Sequence, residues 1–475
     1  MAERERFERI VTRRQPVHRW FFERQHMSRR CFFRDAATGV GGFFLTDRIA
    51  QGETQSIGSV TPKNTAKSVI FIFLRGAPSH VDTFDFKYVE GVTPQDFAPE
   101  TFDGVTLPTG LLGNTSRVLD KIAVVRSGMA WARAHPLAQT WLQIGRDPTS
   151  ATGRIAPHIG SVIAIEKEAE RLPQQVFPSF ISLQASRISG PGYFPVEFGP
   201  FRTHASADGL VSADHPQGPQ AFEDRWGLLQ MIDADLRGST SPLGAQAASM
   251  GRLYEHAKRL MFNPAVASAF SFTEEESARY GNTPIGNAVL TAKKIVEQDQ
   301  GTRFIQVEAN GWDHHGDIYL DDGTNNLYAR TREFDPAFAA LIEDLEVSGK
   351  LSETLVLVCG EFGRTPGRLS TGRNGRDHYL QMFFVLAGGG IQGGQVIGAT
   401  NDTGGRGPGA FTTEPGWSRD RSIRPEDIEA TIYSALGIDW TTVRHDDPLG
   451  RGFYYVPVAD DDLYAPVDEL FETSA

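Results

Sequence analysis

Cysteine is nearly missing: 475 residues hold only Cys31 and Cys359, and Cys359 lies inside an apolar run, so a disulfide scaffold is excluded by number and context. Apolar runs such as Ser68–Leu74 and Leu355–Cys359 fall far short of the roughly 20 residues a helix needs to cross a bilayer, so no transmembrane anchor is expected. An excess of positive charge is missing too. With 47 basic against 59 acidic residues the net charge is −12, which argues against a nucleic-acid backbone or an anionic membrane surface as partner. Internal repeats and low-complexity tracts are also absent.

The N-terminus stands apart. Ser28-Arg29-Arg30-Cys31-Phe32-Phe33-Arg34 precedes the small and apolar run 36–45, a pattern that resembles a twin-arginine export signal and implies a periplasmic or extracellular destination. Met27 directly before it is a candidate start. The plainer reading is a basic amphipathic segment, in keeping with the missing Ala-x-Ala site and the charges of Asp47 and Arg48. Residues 1–50 are taken as this region and 51–475 as a single α/β domain.

Ser68–Leu74, rich in β-branched and aromatic residues and closed by Gly76-Ala77-Pro78, reads as a central strand. Ile122–Arg126, Phe180–Leu183, Phe304–Glu308, Leu355–Cys359 and Met382–Ala387 continue the series, with helices between most of them. That alternation predicts a mostly parallel central sheet flanked by helices on both faces. The periodicity of Phe334, Phe338, Leu341, Ile342 and Leu345 predicts a helix over Thr331–Ser348. Ser186–Pro284, rich in Gly, Pro and Ser and then helical through Phe222–Leu236 and Ala245–Met261, reads as an insertion or cap.

In such sheets ligands bind beyond the carboxyl ends of the strands. Polar residues crowd there: Ser79 to Asp85 after the first strand, Asp313 to Asp317 after Phe304–Glu308, Glu361 to Arg364 after Leu355–Cys359, then Asp377-His378. Each alone has a plain role, a helix cap or a packed aromatic. Together they offer carboxylates and imidazoles from several strand ends, as a mixed nitrogen and oxygen metal site requires. Gly360 and Gly363 let the backbone turn tightly beside Glu361. Arg364 is a candidate clamp for an anionic oxygen, or else an ion-pair partner of Glu361 or Asp377.

These segments resemble the exported bacterial proteins grouped as a domain of unknown function, family 1501, within the alkaline phosphatase and sulfatase superfamily. The resemblance spans nearly the whole chain and rests on Ser28–Arg34, Gly76 to Asp85, Gly311-Trp312-Asp313-His314-His315, Gly360 to Pro366, Gly375-Arg376-Asp377-His378 and the Gly-rich stretch 388–394. It implies an alkaline phosphatase-like fold and a divalent metal (zinc, calcium, manganese or magnesium) held by Asp313, His315 and His378, with Glu361 and Asp82 near a second position. The superfamily pattern wants an Asp directly after the first strand and an Asp-His pair near the later one; this chain has Arg75-Gly76 and Glu361-Phe362. Where sulfatases carry their nucleophile, this chain carries His135, so no hydroxyl nucleophile is expected. His135, Arg364 and His378 are the candidate catalytic residues, with imidazole as proton carrier.

The expected function is hydrolysis of phosphate or sulfate esters outside the cytoplasm, with an anionic ester or sulfated polysaccharide as substrate. The alternative is a non-catalytic fold that binds an anionic glycan or an exported protein partner. A third reading, in which Asp313, Asp317, Asp321 and Asp322 form a calcium loop, leaves the histidines idle.

Overall fold

The computed structural model describes residues 60–475 apart from 103, 238–244, 324–325, 402–415, 420, 459–462 and 473–475. The export-like segment and Cys31 lie outside the described residues.

Eight strands form the main sheet: β1 (Ser68–Arg75), β2 (Ile122–Met129), β3 (Phe180–Leu183), β4 (Phe201–Thr203), β5 (Phe304–Asn310), β6 (Thr354–Cys359), β7 (Gln381–Ala387) and β8 (Gln395–Ile397). Their order is β8-β2-β7-β6-β1-β5-β3-β4. β1 sits centrally between β5 and β6, parallel to both, and β7 alone runs against its neighbours β2 and β6. The mostly parallel sheet expected from the alternation is present.

β1 is apolar from Val69 to Leu74 because both of its faces are covered. Ile70, Ile72 and Leu74 pack with helices α3 (Pro284–Gln298) and α4 (Leu327–Val347). Val69, Phe71 and Phe73 pack with α1 (His135–Ile144), α2 (Ile159–Glu166) and α5 (Pro425–Ala435), as the two-residue side-chain period of a strand requires. In α4 the expected stripe Phe334, Phe338, Leu341, Ile342 and Leu345 is buried. That helix starts four residues earlier than expected, because the Asn326 side chain caps it by accepting from Ala329 N at 3.0 Å.

The same helix carries a buried acid, Asp335, whose oxygens take the N–H groups of Asn114 and Thr115 at 2.8 and 2.7 Å and the Thr115 hydroxyl at 2.7 Å. Within 186–284, helices Gly218–Arg237 and Ala245–Leu260 match the expected pair, while Phe201–Thr203 adds an edge strand to the sheet. At three residues each, β4 and β8 are too short for a legible period.

On the other face, α5 buries Glu429 against the C-terminal end of α1: its Oε1 accepts from Tyr433 at 2.8 Å, and a side chain at Gly145 would collide with its Oε2. Burial pushes this carboxyl up to about 8 despite Arg146 nearby. Between the ordinary carboxylate range and pH 8 the folded chain therefore keeps a proton that the unfolded chain releases, so the contribution of Glu429 to stability falls as pH rises through that window. Glu429→Gln, which mimics the neutral acid, is expected to be more stable than wild type at pH 8.5 and close to it at pH 5. Urea unfolding at the two pH values checks this.

Candidate metal centre

The site is built at the carboxyl end of β1. After Arg75 the chain turns through Gly76 (φ +112°) and Ala77 (φ +63°), and a Cβ at Gly76 would lie 2.6 Å from Asp313 N. Only glycine lets the end of β1 meet the loop after β5. The Gly76 and Ala77 N–H groups donate at 3.2 Å to the Glu361 carboxylate, which is buried at the end of β6. Glu361 also accepts from Gln139 Nε2 at 2.8 Å and faces His135 Nδ1 at 2.6 Å, both on α1. Gly360 and Gly363 are not in left-handed conformations. Their smallness serves close approach instead, since a Cβ would strike Pro78 and Gln381 respectively.

Around this frame His135, Asp313, His315 and His378 each bring one ligand atom to within 4.8 Å of all the others. His315 Nε2 lies 2.9 Å from His378 Nε2, and Asp313 Oδ1 lies 3.1 Å from His315 Nε2, 3.3 Å from His135 Nε2 and 3.9 Å from His378 Nε2. A tetrahedral ion with bonds of about 2.0–2.1 Å separates its ligand atoms by about 3.3–3.4 Å. The four measured edges bracket that value.

The other ring nitrogens fix the tautomers. His135 Nδ1 faces Glu361, His378 Nδ1 donates to the Arg133 carbonyl at 2.5 Å, and His315 Nδ1 meets Asp377 Oδ1 at 3.1 Å. Each Nδ1 thus carries the hydrogen and each Nε2 turns a lone pair inward, the arrangement in which acceptors behind the ring orient metal-binding imidazoles. His315 Nε2 also accepts from Arg364 Nη1 at 3.3 Å, which agrees with that tautomer. Two imidazole lone pairs 2.9 Å apart repel unless a shared proton or a cation stands between them. His135 Nε2 is buried and faces Asp313 Oδ1 at 3.3 Å as an ion-pair contact, without an aligned hydrogen bond. These residues fit a divalent metal, with the borderline donor set that suits zinc.

Electrostatics agree. Partial burial opposes ionisation of Asp313, but the facing His135 imidazole and the Arg364 guanidinium outweigh it and hold the carboxyl well below its usual range. Burial likewise opposes charge on His135, and the facing carboxylates of Asp313 and Glu361 outweigh it and push the imidazole up to about 9. A metal taken up here displaces a proton from that ring. His378 is lowered, chiefly by burial, which favours the neutral ligating form.

Several expectations are corrected. Arg364 is fully buried, and its five N–H groups are engaged: Nε donates to Ala77 O at 2.8 Å, Nη1 to Arg376 O at 3.1 Å and to His315, and Nη2 to Gly76 O at 2.5 Å and Asp313 Oδ1 at 2.6 Å. Its charge holds Asp313, and four of its N–H groups are committed to other acceptors, while the fifth meets the His315 Nε2 lone pair that a metal would take. Asp82 stays outside the ligand group. It is paired with buried Arg376 at 2.7 and 3.0 Å and takes Tyr319 and Ser79 hydroxyls, so its oxygens are used. Glu361 orients His135 from behind; it is not one of the grouped ligands. Asp321 forks with Arg332 at 2.6 and 2.5 Å, and Asp317 accepts from Asn374, so the calcium loop does not form. His314 is the packed aromatic, buried against Trp312.

Asp313, His315 and His378 come together as expected. His135, expected as a proton carrier, joins them in the group that could hold a metal. The Arg133 carbonyl and the Arg376–Asp82 pair were missed, because a backbone oxygen leaves no side-chain signature and opposite charges 294 positions apart do not reveal each other.

A family model described as "Protein of unknown function (DUF1501)" matches residues 66–453. The chain belongs to that family. No curated protein matches it in sequence. Solved structures similar to it include the lipoteichoic acid synthase LtaP from Listeria monocytogenes, at 9% identity and TM-score 0.37, covering 82% of this chain and 76% of that one. The PsFucS1 sulfatase from Pseudoalteromonas sp. is similar at 13% identity and TM-score 0.36, over 81% of this chain and 69% of that one. An alkaline phosphatase from the Antarctic bacterium TAB5 is similar at 10% identity and TM-score 0.34, over 80% of this chain and all of the other. At that distance the chemistry of this family member rests on its own residues.

Purified protein is expected to carry about one divalent ion per chain and to lose thermal stability on chelation. Asp313→Ala and His378→Ala are each expected to lower ion content at least about tenfold, as read by elemental analysis after dialysis.

Proposed function

We propose that this chain is a metal-dependent hydrolase of phosphate or sulfate esters, acting outside the cytoplasm after export through its Ser28–Arg34 segment. The carrying observation is the convergence of three inward-facing Nε2 atoms and one carboxylate oxygen, each ring oriented from behind. A bound divalent ion would supply Lewis-acid polarisation of an ester oxygen or a more acidic bound water.

The chain's own residues set the conditions for that chemistry. Glu361 keeps the His135 Nδ1 hydrogen in place, Asp377 does the same for His315, and Arg364 locks the Asp313 oxygen. Arg364 also adds a permanent positive charge beside the place where negative charge grows in an ester's transition state. With His135 and His378 committed through Nε2, proton movement falls to another group. The Asp377 side chain, 61% exposed beside His315, is the carboxylate open to solvent there. An anionic ester, up to a sulfated polysaccharide, is the substrate class that a cationic centre on this open sheet edge favours. Residues 186–284 would serve as its cap.

One observation favours the second reading, a non-catalytic centre that binds an anionic glycan or an exported partner protein. Among the described residues no Ser, Thr or Cys side chain is hydrogen-bonded to any of the four ligands, so a covalent intermediate on a hydroxyl has no evident carrier. Direct attack by water needs no such group.

Zinc- or manganese-loaded protein is expected to hydrolyse aryl phosphate or aryl sulfate esters. His378→Ala is expected to lower kcat/KM at least about 100-fold. A metal-loaded wild type with no turnover above buffer would favour the binding reading.

A further inference from the structure

Two of the four proposed ligands hang on one short segment. His135 opens α1, and the Arg133 carbonyl just before it takes the Nδ1 hydrogen of His378. Where that segment sits therefore sets two of the inward-facing Nε2 atoms at once.

The segment is gripped by the residues that lead into α5. Met129 N donates to Ile423 O at 2.9 Å, and Arg424 Nη1 donates to the Met129 and Ala130 carbonyls at 3.2 and 3.4 Å. The Arg424 guanidinium also lies 3.9 Å over the Trp131 ring. Glu426, only 3% exposed, completes the grip: one oxygen accepts from Trp131 Nε1 at 3.0 Å and the other from Trp141 Nε1 at 2.8 Å. The two indoles stack with centroids 5.9 Å apart.

We propose that Glu426 is a positioning residue for the metal centre, tying Trp131 before α1 to Trp141 within it so that His135 and the Arg133 carbonyl are held in register with His378. This rests on the reading of the cluster as a metal site. Burying a carboxylate is costly, and an apolar side chain of similar volume would fill the space without that cost. What the carboxylate alone supplies is two acceptors at fixed separation, one for each indole. Glutamine keeps one acceptor and sets an amide N–H against the other indole N–H, so Glu426→Gln breaks the bridge at nearly constant shape.

Zn²⁺ affinity, measured on the full chain by competition with a chelator, tests this beside the melting temperature of the metal-free protein. Glu426→Gln is expected to weaken zinc binding about tenfold, at the low end for groups behind metal ligands. Trp131→Phe, which removes one indole N–H and keeps the ring, is expected to act alike and carries the test if Glu426→Gln does not fold. Asp335→Asn loses comparable buried bonds on the opposite face of the sheet and is expected to leave affinity within about twofold, whatever its melting temperature. Zinc affinity within about twofold of wild type in Glu426→Gln or Trp131→Phe, with only the melting temperature lowered, would overturn the positioning role and leave the metal reading standing. A wild type that takes up none of zinc, manganese, magnesium or calcium would overturn the metal reading itself.

Discussion

Glu361 is the constraint on which the site depends. Its carboxylate is buried where β1 ends, β6 ends and α1 begins, and a charge removed from water there costs several kcal/mol unless it is fully paired. Gly76 N, Ala77 N, Gln139 Nε2 and His135 Nδ1 pair it. Those donors exist together only if the turn after β1 takes its left-handed course, and that turn in turn needs a glycine against Asp313. Folding the sheet edge and aiming His135 are thus one event. A strained non-glycine residue, Ala77 at φ +63°, is kept at the point where this happens, the usual place for stored backbone strain.

How much of this was legible in the sequence follows from the physics of each signal. β1 and β6 are buried on both faces and appear as nearly continuous apolar runs, while β5 interrupts its apolar residues with buried Gln306 and Glu308; all three were found within two residues of their ends. The crowding of polar residues at strand ends marked the region, and the resemblance to family 1501 narrowed it to Asp313, His315 and His378. The start of α4 was missed because Asn326 acts through its side chain as a cap, outside the apolar stripe. Arg364 was read as a ligand clamp because its sequence neighbours are Gly and Glu361. Its real partners are the backbone carbonyls of Gly76, Ala77 and Arg376, which composition cannot show. Asp82 was assigned to a metal for the same reason, with Arg376 distant in the chain but adjacent in space.

The charges explain why such a site can hold a cation next to a buried guanidinium. Asp313 and Glu361 contribute two negative charges and Arg364 one positive, so the frame alone is one charge short of neutral, and the rise of His135 to about 9 expresses that surplus. Two unit charges about 4 Å apart at an effective dielectric of about 20 interact by roughly 4 kcal/mol, so Arg364 by itself would oppose a metal strongly. The two carboxylates must outweigh it, and Asp313 has to serve the guanidinium and the ion at once. Its shared Oδ1, 2.6 Å from Arg364 Nη2 and 3.1 Å from His315 Nε2, is placed for both. A second divalent ion beside the first would meet the same repulsion with Glu361 already spent on four donors. The end of β1 offers Arg75 and Gly76 where a further carboxylate would be needed, and Arg75 is itself paired with Glu308 at 2.7 Å. A single ion with a permanent guanidinium neighbour is therefore the state that the donors and charges of this sheet edge favour.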